Sequence, residues 1–336
     1  MSTTTAPAPA EGAYTITPPP LWRRLLSGST LGPLAALSLA SLFFSVRSEQ
    51  FLTAGNLSLI MQQVMVVGTL AIGQTLIILT AGIDLSNGAI MAFGTIVMAK
   101  LAVGGTIPPA AAIAAGILVC GAFGLVNGLL VTRVSLPPFI VTLGMLNIGF
   151  ALTHVYSNEQ TITGLPPLLT ELGNTFTLGG TDVTYASIVA LALFGGFAYV
   201  LTQTSWGRHV YATGNSPEAA RLTGIATQRV LLSVYTVAGL VYGIAGLLLI
   251  ARTGVGDPQA GQTDNLDSVT AVVIGGTSLF GGRGAILGTL IGALIVGIFR
   301  NGLQLMGVSS IYQTLITGIL VILAVAVDQI SHRRSR

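Results

Sequence analysis

Ten apolar stretches recur along this chain, and they constrain its fold more than any other feature of the sequence. A helix needs about 20 mostly apolar residues to cross a bilayer, and most of the stretches reach that length. They lie at about 26–46, 57–80, 86–104, 110–132, 138–156, 184–202, 230–251, 268–281, 285–300 and 310–328. The sequence therefore predicts an all-α polytopic membrane protein with about ten transmembrane helices.

The stretch at 268–281 is short for a span. Such a piece is tolerated in a membrane only where protein or a water-filled cavity satisfies its backbone polar groups. We therefore expect it to be tilted, broken or re-entrant, and the number of spans depends on how it is counted.

The composition excludes the main classes of soluble protein. Only 7% of the residues are charged and 52% are hydrophobic, whereas a soluble domain carries roughly 25% charged residues. That balance is incompatible with a cytosolic enzyme, a DNA-binding protein or a secreted disulfide scaffold. The net charge of +3 is spread over too few sites to form the basic stripe that binds nucleic acid. The single cysteine, Cys120, lies in an apolar run and is expected to be a small packing residue.

The distribution of basic residues predicts the orientation in the membrane, because cytoplasmic segments carry an excess of them. With the N-terminus in the cytoplasm, the inner arginines are Arg23, Arg24, Arg133, Arg208, Arg221, Arg229, Arg283, Arg333, Arg334 and Arg336. The outer basic residues are Arg47, Lys100, Arg252 and Arg300. This excess on one side is consistent with an even number of spans and with both termini inside.

The ends of the chain differ in composition from the apolar part. Residues 1–20 are rich in Thr, Ala and Pro, which is typical of disorder. We predict a disordered cytoplasmic tail over 1–24, a transmembrane domain over 25–332 that contains a cytoplasmic loop at 203–229, and a basic cytoplasmic tail over 333–336.

The sequence lacks the motifs of common hydrolytic enzymes. It has no G-x-x-x-x-G-K-[ST] phosphate loop, and its one lysine, Lys100, has no glycine before it. No G-x-S-x-G nucleophile elbow and no H-E-x-x-H motif occur, and His154, His209 and His332 are far apart in sequence. We predict that the chain is not an enzyme, with no catalytic residue, no metal site and no cofactor of its own.

The interiors of the apolar runs hold almost no carboxylates. A transporter driven by protons or sodium usually places acidic residues near the middle of the membrane, where their cost marks a function. Asp84 and Asp328 lie at helix ends, which we expect near the membrane interface. The sequence thus indicates a conduit without an evident source of energy, and an ion-coupled transporter is the strongest rival interpretation.

The loop at 203–229 carries the signals of a short helix in its second half. Ser216 is a good N-cap, Pro217 suits the first helical position and Gly224 can close the helix. A helix this short is marginal alone in water, so we expect it either to dock a soluble partner or to lie on the lipid interface. The predicted element consists of Ser216, Pro217, Glu218, Ala219, Ala220, Arg221, Leu222, Thr223 and Gly224.

Several segments carry a resemblance to a known family. They read LIILTAGIDLS at 76–86, LPPFIVTLG at 136–144, GRHVYATG at 207–214, EAARLTGI at 218–225 and AVVIGGTSLFGGRG at 271–284. From about residue 50 to 330 the chain resembles the permease subunits of bacterial ABC importers for monosaccharides, of the ribose/xylose/galactose type. The segment PQAGQT at 258–263 and Asp267-Ser268 are most similar to fructose-type permeases, which also serve mannose and ribose.

The resemblance implies an import complex in the bacterial inner membrane. Two copies of the permease chain would sit with two ATP-binding subunits and one extracytoplasmic sugar-binding protein. ATP and magnesium would belong to the partner ATPase, and residues 216–224 would be the coupling helix that enters a cleft in that ATPase. The expected function is import of a fructose-like or ribose-like monosaccharide by alternating access.

A neutral sugar needs a pathway whose groups bind hydroxyls weakly, because tight binding would trap it. Amide side chains suit this task, and we expect the pathway among Gln62, Gln63, Gln74, Asn127, Asn147, Asn301, Gln304 and Gln313. The same amides could instead join helices through hydrogen bonds, and the sequence leaves both roles open.

The predicted outer loop at 257–267 carries three acids and a glutamine that could meet the sugar-binding protein by charge complementarity. These residues are Asp257, Gln262, Asp264 and Asp267. An ordinary solvated loop is the alternative. Two further rivals for the whole chain are a membrane-embedded enzyme acting on lipid-linked sugar and an exporter of the same general build.

Overall fold

The structure is a computed structural model that describes residues 28–105 and 107–334. The disordered tail predicted over 1–24 lies outside the described residues, and so do the last two residues of the basic tail predicted at 333–336. Within the described part of the chain nearly all regular structure is helical, which confirms the predicted helical fold.

The helices follow the apolar pattern of the sequence. In chain order they are α1 (Gly28–Arg47), α2 (Ala54–Leu79), α3 (Asn87–Val103), α4 (Pro109–Thr132), α5 (Pro138–Ser157), α6 (Pro167–Thr170), α7 (Tyr185–Gln203), α8 (Ser205–Asn215), α9 (Pro217–Leu222), α10 (Thr227–Thr253), α11 (Asp264–Ile274), α12 (Ile286–Leu305) and α13 (Ser310–Arg334). A 3-10 turn at Glu171–Gly173 follows α6. Each predicted apolar stretch overlaps one of these helices.

A small β-hairpin between α6 and α7 departs from the all-α prediction. Thr175–Leu178 (β1) pairs antiparallel with Thr181–Thr184 (β2). Gly179 and Gly180, which connect the strands, have φ values of 59° and 83°. A two-residue hairpin turn requires this conformation, and glycine adopts it without strain. The apolar runs from which the all-α fold was predicted do not include this hairpin, whose sequence signal is the Gly179-Gly180 pair.

Six of the described helices are long and apolar enough to cross a membrane, namely α2, α4, α5, α7, α10 and α12. Leu31–Arg47 within α1 and the helix α3 are apolar but shorter. The 11 residues of α11 extend only about 16 Å at 1.5 Å per residue. The structure supports a protein with several spans but does not confirm the predicted count of ten, and the stretch at 268–281 contains a short helix, as expected.

The helices α2 and α10 form the centre of the bundle. In their most apolar parts 83% and 72% of residues are buried, compared with 28% in α4, α5 and α7. Helices α10 and α4 pack so closely that a Cβ atom added to Gly124 would overlap the Tyr235 carbonyl oxygen. Cys120 is buried beside this contact, as its packing role predicts. Small residues allow such an approach, and the resulting van der Waals packing drives helix association in lipid.

Two non-helical breaks interrupt the bundle, at 80–86 between α2 and α3 and at 275–285 between α11 and α12. The Gly282 amide donates a hydrogen bond to the Leu79 carbonyl oxygen at 2.9 Å. A Cβ on Gly281 would lie only 2.8 Å from the Ala81 amide nitrogen. The two breaks therefore lie against each other, and each satisfies part of the backbone of the other.

Buried amide side chains tie the first break to the neighbouring helices. Nδ2 of Asn87, the first residue of α3, donates to Gln74 Oε1 at 3.1 Å and to Ser268 Oγ at 2.7 Å. Nδ2 of Asn127 donates to Ser86 Oγ at 3.1 Å. Residues of α2, α3, α4 and α11 thus meet in this region, and the hydrogen bonds fix where α3 begins.

We expect Gly124→Ala to destabilise the protein, because the added methyl group would push α4 away from α10. Overpacking of this kind costs about 1–3 kcal/mol, and the thermal unfolding midpoint of the detergent-solubilised protein should fall by several degrees. The matched control is Gly196→Ala in α7, where a Cβ meets no atom within 4 Å. Equal midpoints for the two variants would contradict the close contact between α4 and α10.

Candidate functional site

The short loop helix that the sequence predicts is present as α9. Ser216 Oγ accepts a hydrogen bond from the Ala219 amide at 3.3 Å, and Pro217 occupies the first turn. The helix ends at Leu222. Gly224 follows with a φ of 88°, the left-handed conformation that commonly closes helices. The predicted helix and both of its end signals are confirmed.

Most side chains of α9 point away from the rest of the chain. Glu218, Ala219 and Arg221 are exposed, and Leu222 is 81% exposed, whereas Ala220 is buried. An open groove of about 600 Å³ runs beside the helix, lined by Pro217, Glu218, Arg221, Ile225, Ala226, Thr227, Gln228 and Arg229. This end of the molecule offers a partner two opposite charges beside an apolar side chain.

A second loop helix, α8, precedes α9 and was not predicted. Thr204 Oγ1 caps it by accepting a hydrogen bond from the Gly207 amide at 3.2 Å. Trp206 Nε1 donates to Ser233 Oγ of α10 at 2.9 Å, and Val210 is fully buried. The cap at Thr204 and the apolar spacing of Trp206 and Val210 are the signals that could have indicated this helix.

The end of α8 fits against both breaks of the bundle. The Tyr211 hydroxyl donates a hydrogen bond to the Gly284 carbonyl oxygen at 2.8 Å. A Cβ on Gly214 would overlap the Leu79 carbonyl oxygen and would lie 2.7 Å from the Gly282 amide nitrogen. Helix α8 therefore packs against the second break and against the end of α2, where the first break begins.

A cleft of about 190 Å³ lies at the other end of α10. It is formed by α2, the last turn of α10, the first turn of α11 and the second half of α12. Its polar lining consists of Gln63, Arg252, Asp264, Asp267, Arg300 and Gln304. We call this cleft the outer cleft. The 27 residues of α10 extend about 40 Å at 1.5 Å per residue, so the outer cleft and α9 lie at opposite ends of the bundle.

Arg300 and Asp267 form an ion pair in the outer cleft, with 3.2 Å between Nη1 and Oδ2. The Asp267 side chain is 8% exposed and that of Arg300 is 49% exposed. Arg252 and Arg300, two of the four basic residues predicted on the outer side, thus lie in the same cleft as two acids.

A second cleft of about 210 Å³ adjoins the outer cleft. The two share Asp267, Val296 and Arg300 in their linings. Gln313 and Thr317 of α13 line the second cleft only. The ion pair therefore lies between two neighbouring polar spaces.

The structure brings three of the predicted pathway residues to these clefts. Gln63 and Gln304 line the outer cleft, and Gln313 lines the second. Gln62 lies beside a much smaller cavity of about 10 Å³ and donates to Ser58 Oγ at 3.2 Å. Only part of the predicted set therefore shares one space.

The other predicted pathway residues lie elsewhere in the bundle. Asn301 and Asn56 exchange two hydrogen bonds, of 2.8 and 3.0 Å, between α12 and α2. Gln74 and Asn127 are fully buried and belong to the hydrogen bonds around the start of α3. Asn147 is exposed on α5 and donates to a carbonyl of its own helix at 3.0 Å. Asn301, Gln74 and Asn127 join helices, which is the alternative that the sequence left open.

The four predicted contacts for a binding protein separate into two groups. In the loop between α10 and α11, Asp257 accepts a hydrogen bond from the Gln259 amide at 2.9 Å. Exposed Gln262 donates to the Gln259 side chain in the same loop. Asp264 and Asp267 instead line the outer cleft. The two pairs therefore have different surroundings.

Asp84 is buried inside the protein, with 1% of its surface exposed. After α2 the chain turns back into the bundle through Ala81, which has a φ of 62°. Oδ1 of Asp84 accepts a hydrogen bond from the Ser86 amide at 2.7 Å. Asp84 is thus enclosed by protein at this helix end, and the carboxylate stabilises the first break just before α3.

Apolar helices around a polar cleft at one end, with an exposed capped helix at the other, define a membrane permease subunit. Among the residues that the structure describes, no group of three or more His, Cys, Asp and Glu side chains could hold a metal ion. Residues 56–325 match a family model described as "Branched-chain amino acid transport system / permease component". The chain belongs to this family.

Individual relatives are named for sugars. The chain is 46% identical to the fructose import permease protein FrcC of Rhizobium meliloti over 303 residues, covering 88% of this chain and 84% of the relative. It is 40% identical to the ribose import permease protein RbsC of Bacillus subtilis over 301 residues, covering 89% and 92%. It is 37% identical to the D-allose transport system permease protein AlsC of Escherichia coli over 293 residues, covering 87% and 89%.

No solved structure matches the chain. The relatives confirm the predicted resemblance to permeases of monosaccharide importers. The resemblance extends over nearly nine tenths of the sequence, as its segments from about residue 50 to 330 indicated.

We expect Ser216→Ala to loosen α9, because the substitution removes the side-chain oxygen that caps the helix. Loss of an N-cap costs about 1 kcal/mol, so amide hydrogen exchange within α9 should become about fivefold faster. Ser205→Ala, in the same loop but not at a cap position, should leave that exchange unchanged. Equal exchange in α9 for both variants would contradict the capping role of Ser216.

Proposed function

We propose that the chain is the permease subunit of an ABC importer that moves a monosaccharide inward across the bacterial inner membrane. The observation that carries the proposal is the identity of 46% and 40% to fructose and ribose import permeases. The family description refers to branched-chain amino acids, whereas these individual relatives are named for sugars. We therefore infer a fructose-like or ribose-like substrate.

The proposal includes partners that supply energy and substrate. The chain has no phosphate-loop motif, so ATP and magnesium would bind to two separate ATP-binding subunits. An extracytoplasmic sugar-binding protein would deliver the sugar near the outer cleft, where Asp257 and Gln262 lie in the adjacent loop. A second copy of the chain would complete the membrane part of the complex.

The proposed topology has ten spans with both termini in the cytoplasm. The helices α1, α3, α11 and α13 would join the six helices that are long and apolar enough to cross a membrane. The permease domain would cover 25–332, with the coupling loop at 203–229. The distribution of arginines supports this orientation, and Arg221 and Arg229 line the groove beside α9.

In this complex α9 would act as the coupling helix. Movement of the ATPase would pass from α9 to α8 and, through the hydrogen bond of Tyr211 to Gly284, to the second break. The hydrogen bond of Asn87 to Ser268 continues the route to α11, whose first turn lines the outer cleft. Alternating access then requires that the ATPase bind the two states of the bundle with different affinities.

An ion-coupled sugar transporter is the second candidate, and the buried carboxylate of Asp84 is the observation that favours it. The hydrogen bond from the Ser86 amide gives this carboxylate a structural role at the first break. The overall identity to import permeases supports the ATP-driven alternative. The two candidates differ in their source of energy, which a transport measurement separates.

We expect Glu218→Arg to abolish transport, because it reverses a charge on the exposed face of α9. The measurement is uptake of labelled fructose and ribose by proteoliposomes that contain the chain, its cognate ATPase and its binding protein. Reversed charge at an interface should reduce uptake by about tenfold or more. The ATPase should also be lost from affinity purification of the variant, while its insertion into the membrane stays unchanged.

The control variant is Thr202→Arg, which adds a positive charge at an exposed position near the same end of the bundle but outside the coupling loop. Its uptake and its association with the ATPase should match those of the native chain. Uptake without any ATPase would contradict the proposal. So would uptake that a protonophore abolishes and that ATP depletion does not.

A further inference from the structure

The outer cleft contains hydrogen-bonding groups that the described part of the chain does not use. Oε1 of Gln63 is buried and has no hydrogen-bond partner among the described residues. The ion pair in the cleft joins Arg300 to Asp267. Among the described residues, the Asp264 carboxylate and the Arg252 guanidinium make no hydrogen bond, and their opposite charges attract each other. A buried polar atom without a partner is costly, and because Gln63 lines the cleft, a water or a ligand hydroxyl there can supply the missing hydrogen bond.

These groups have complementary hydrogen-bonding capacities. The Asp264 carboxylate accepts, the Arg252 guanidinium donates, and the Gln63 amide does both. A sugar hydroxyl also donates and accepts, so neighbouring hydroxyls of one ring can satisfy all three side chains. The valines Val67 and Val296 line the same cleft and offer an apolar surface to the C–H face of a ring.

We propose that the outer cleft is a polyol-binding subsite within the permease itself, where Gln63, Arg252 and Asp264 bind the hydroxyls of one sugar ring. The inference rests on the proposed function and adds to it a place where the sugar binds inside the permease. The opposite charges of Arg252 and Asp264 balance, which suits a neutral ligand.

The size of the cleft favours a single ring. Sites for drug-sized ligands usually enclose about 300–1,000 Å³, whereas this cleft encloses about 190 Å³. The Asp267–Arg300 ion pair separates it from the second cleft, so the subsite is bounded on the side towards α13. A monosaccharide is therefore the expected occupant.

The test is saturation-transfer NMR on the full chain in lipid nanodiscs without its partners, with fructose, ribose and leucine as separate probes. Fructose or ribose should give a signal and leucine should give none. Loss of a hydrogen bond to the ligand in Gln63→Leu or Asp264→Asn should reduce the sugar signal by about fivefold or more. Gln160→Leu, the matched control in the loop after α5, should leave the signal unchanged.

A signal from leucine alone, no sugar signal from the native chain, or equal sugar signals from all variants would overturn the subsite. If the Gln63→Leu variant fails to insert into the membrane, Gln63→Asn is measured in its place. Asparagine carries the same amide group on a side chain one methylene shorter, so the amide lies farther from the ligand. ATP-driven sugar uptake is measured on the same preparations with the partners added. Uptake without sugar binding in the cleft overturns the subsite alone, whereas absence of sugar uptake by the native complex overturns the proposed function.

Discussion

The hydrogen bond from the Gly282 amide to the Leu79 carbonyl oxygen, 2.9 Å long, joins the two breaks on which the rest of the structure depends. Buried backbone polar groups must be satisfied within the protein, so buried chain between two helices needs hydrogen bonds from another part of the chain. The breaks at 80–86 and 275–285 meet this requirement by lying against each other. The hydrogen bonds of Asn87 hold the start of α3 and Ser268 of α11 beside this contact, and the end of α8 packs against it.

The same contact lies between the two ends of the molecule to which we assign roles in transport. Helix α9 lies at one end of α10, and the outer cleft lies about 40 Å away by the length of that helix. Helix α8 reaches both breaks, and Asn87 bridges the first break to Ser268 of α11. Under the proposed function, a chain without a phosphate loop would in this way receive movement from a partner at one end and change the cleft at the other.

The sequence predicted those parts of the fold that depend on local pattern. Apolar stretches located the long helices, and Ser216 marked the start of α9, because spans and caps are set by residues close in sequence. The burial of Asp84 and the pairing of Arg300 with Asp267 depend on residues that are distant in sequence. For the same reason Gln63 could be named as a pathway candidate from its residue type, while its place in one shared cleft required the structure.

We propose that α8 transmits movement of α9 to the breaks. The most direct test is the number of sugar molecules taken up per ATP hydrolysed, measured in the variant Tyr211→Phe. This variant loses only the hydroxyl that bonds the Gly284 carbonyl oxygen. We expect ATP hydrolysis to persist while sugar uptake per ATP falls by about fivefold, whereas Tyr199→Phe, an exposed tyrosine of α7, keeps the native ratio. A native ratio in Tyr211→Phe would contradict this route of coupling.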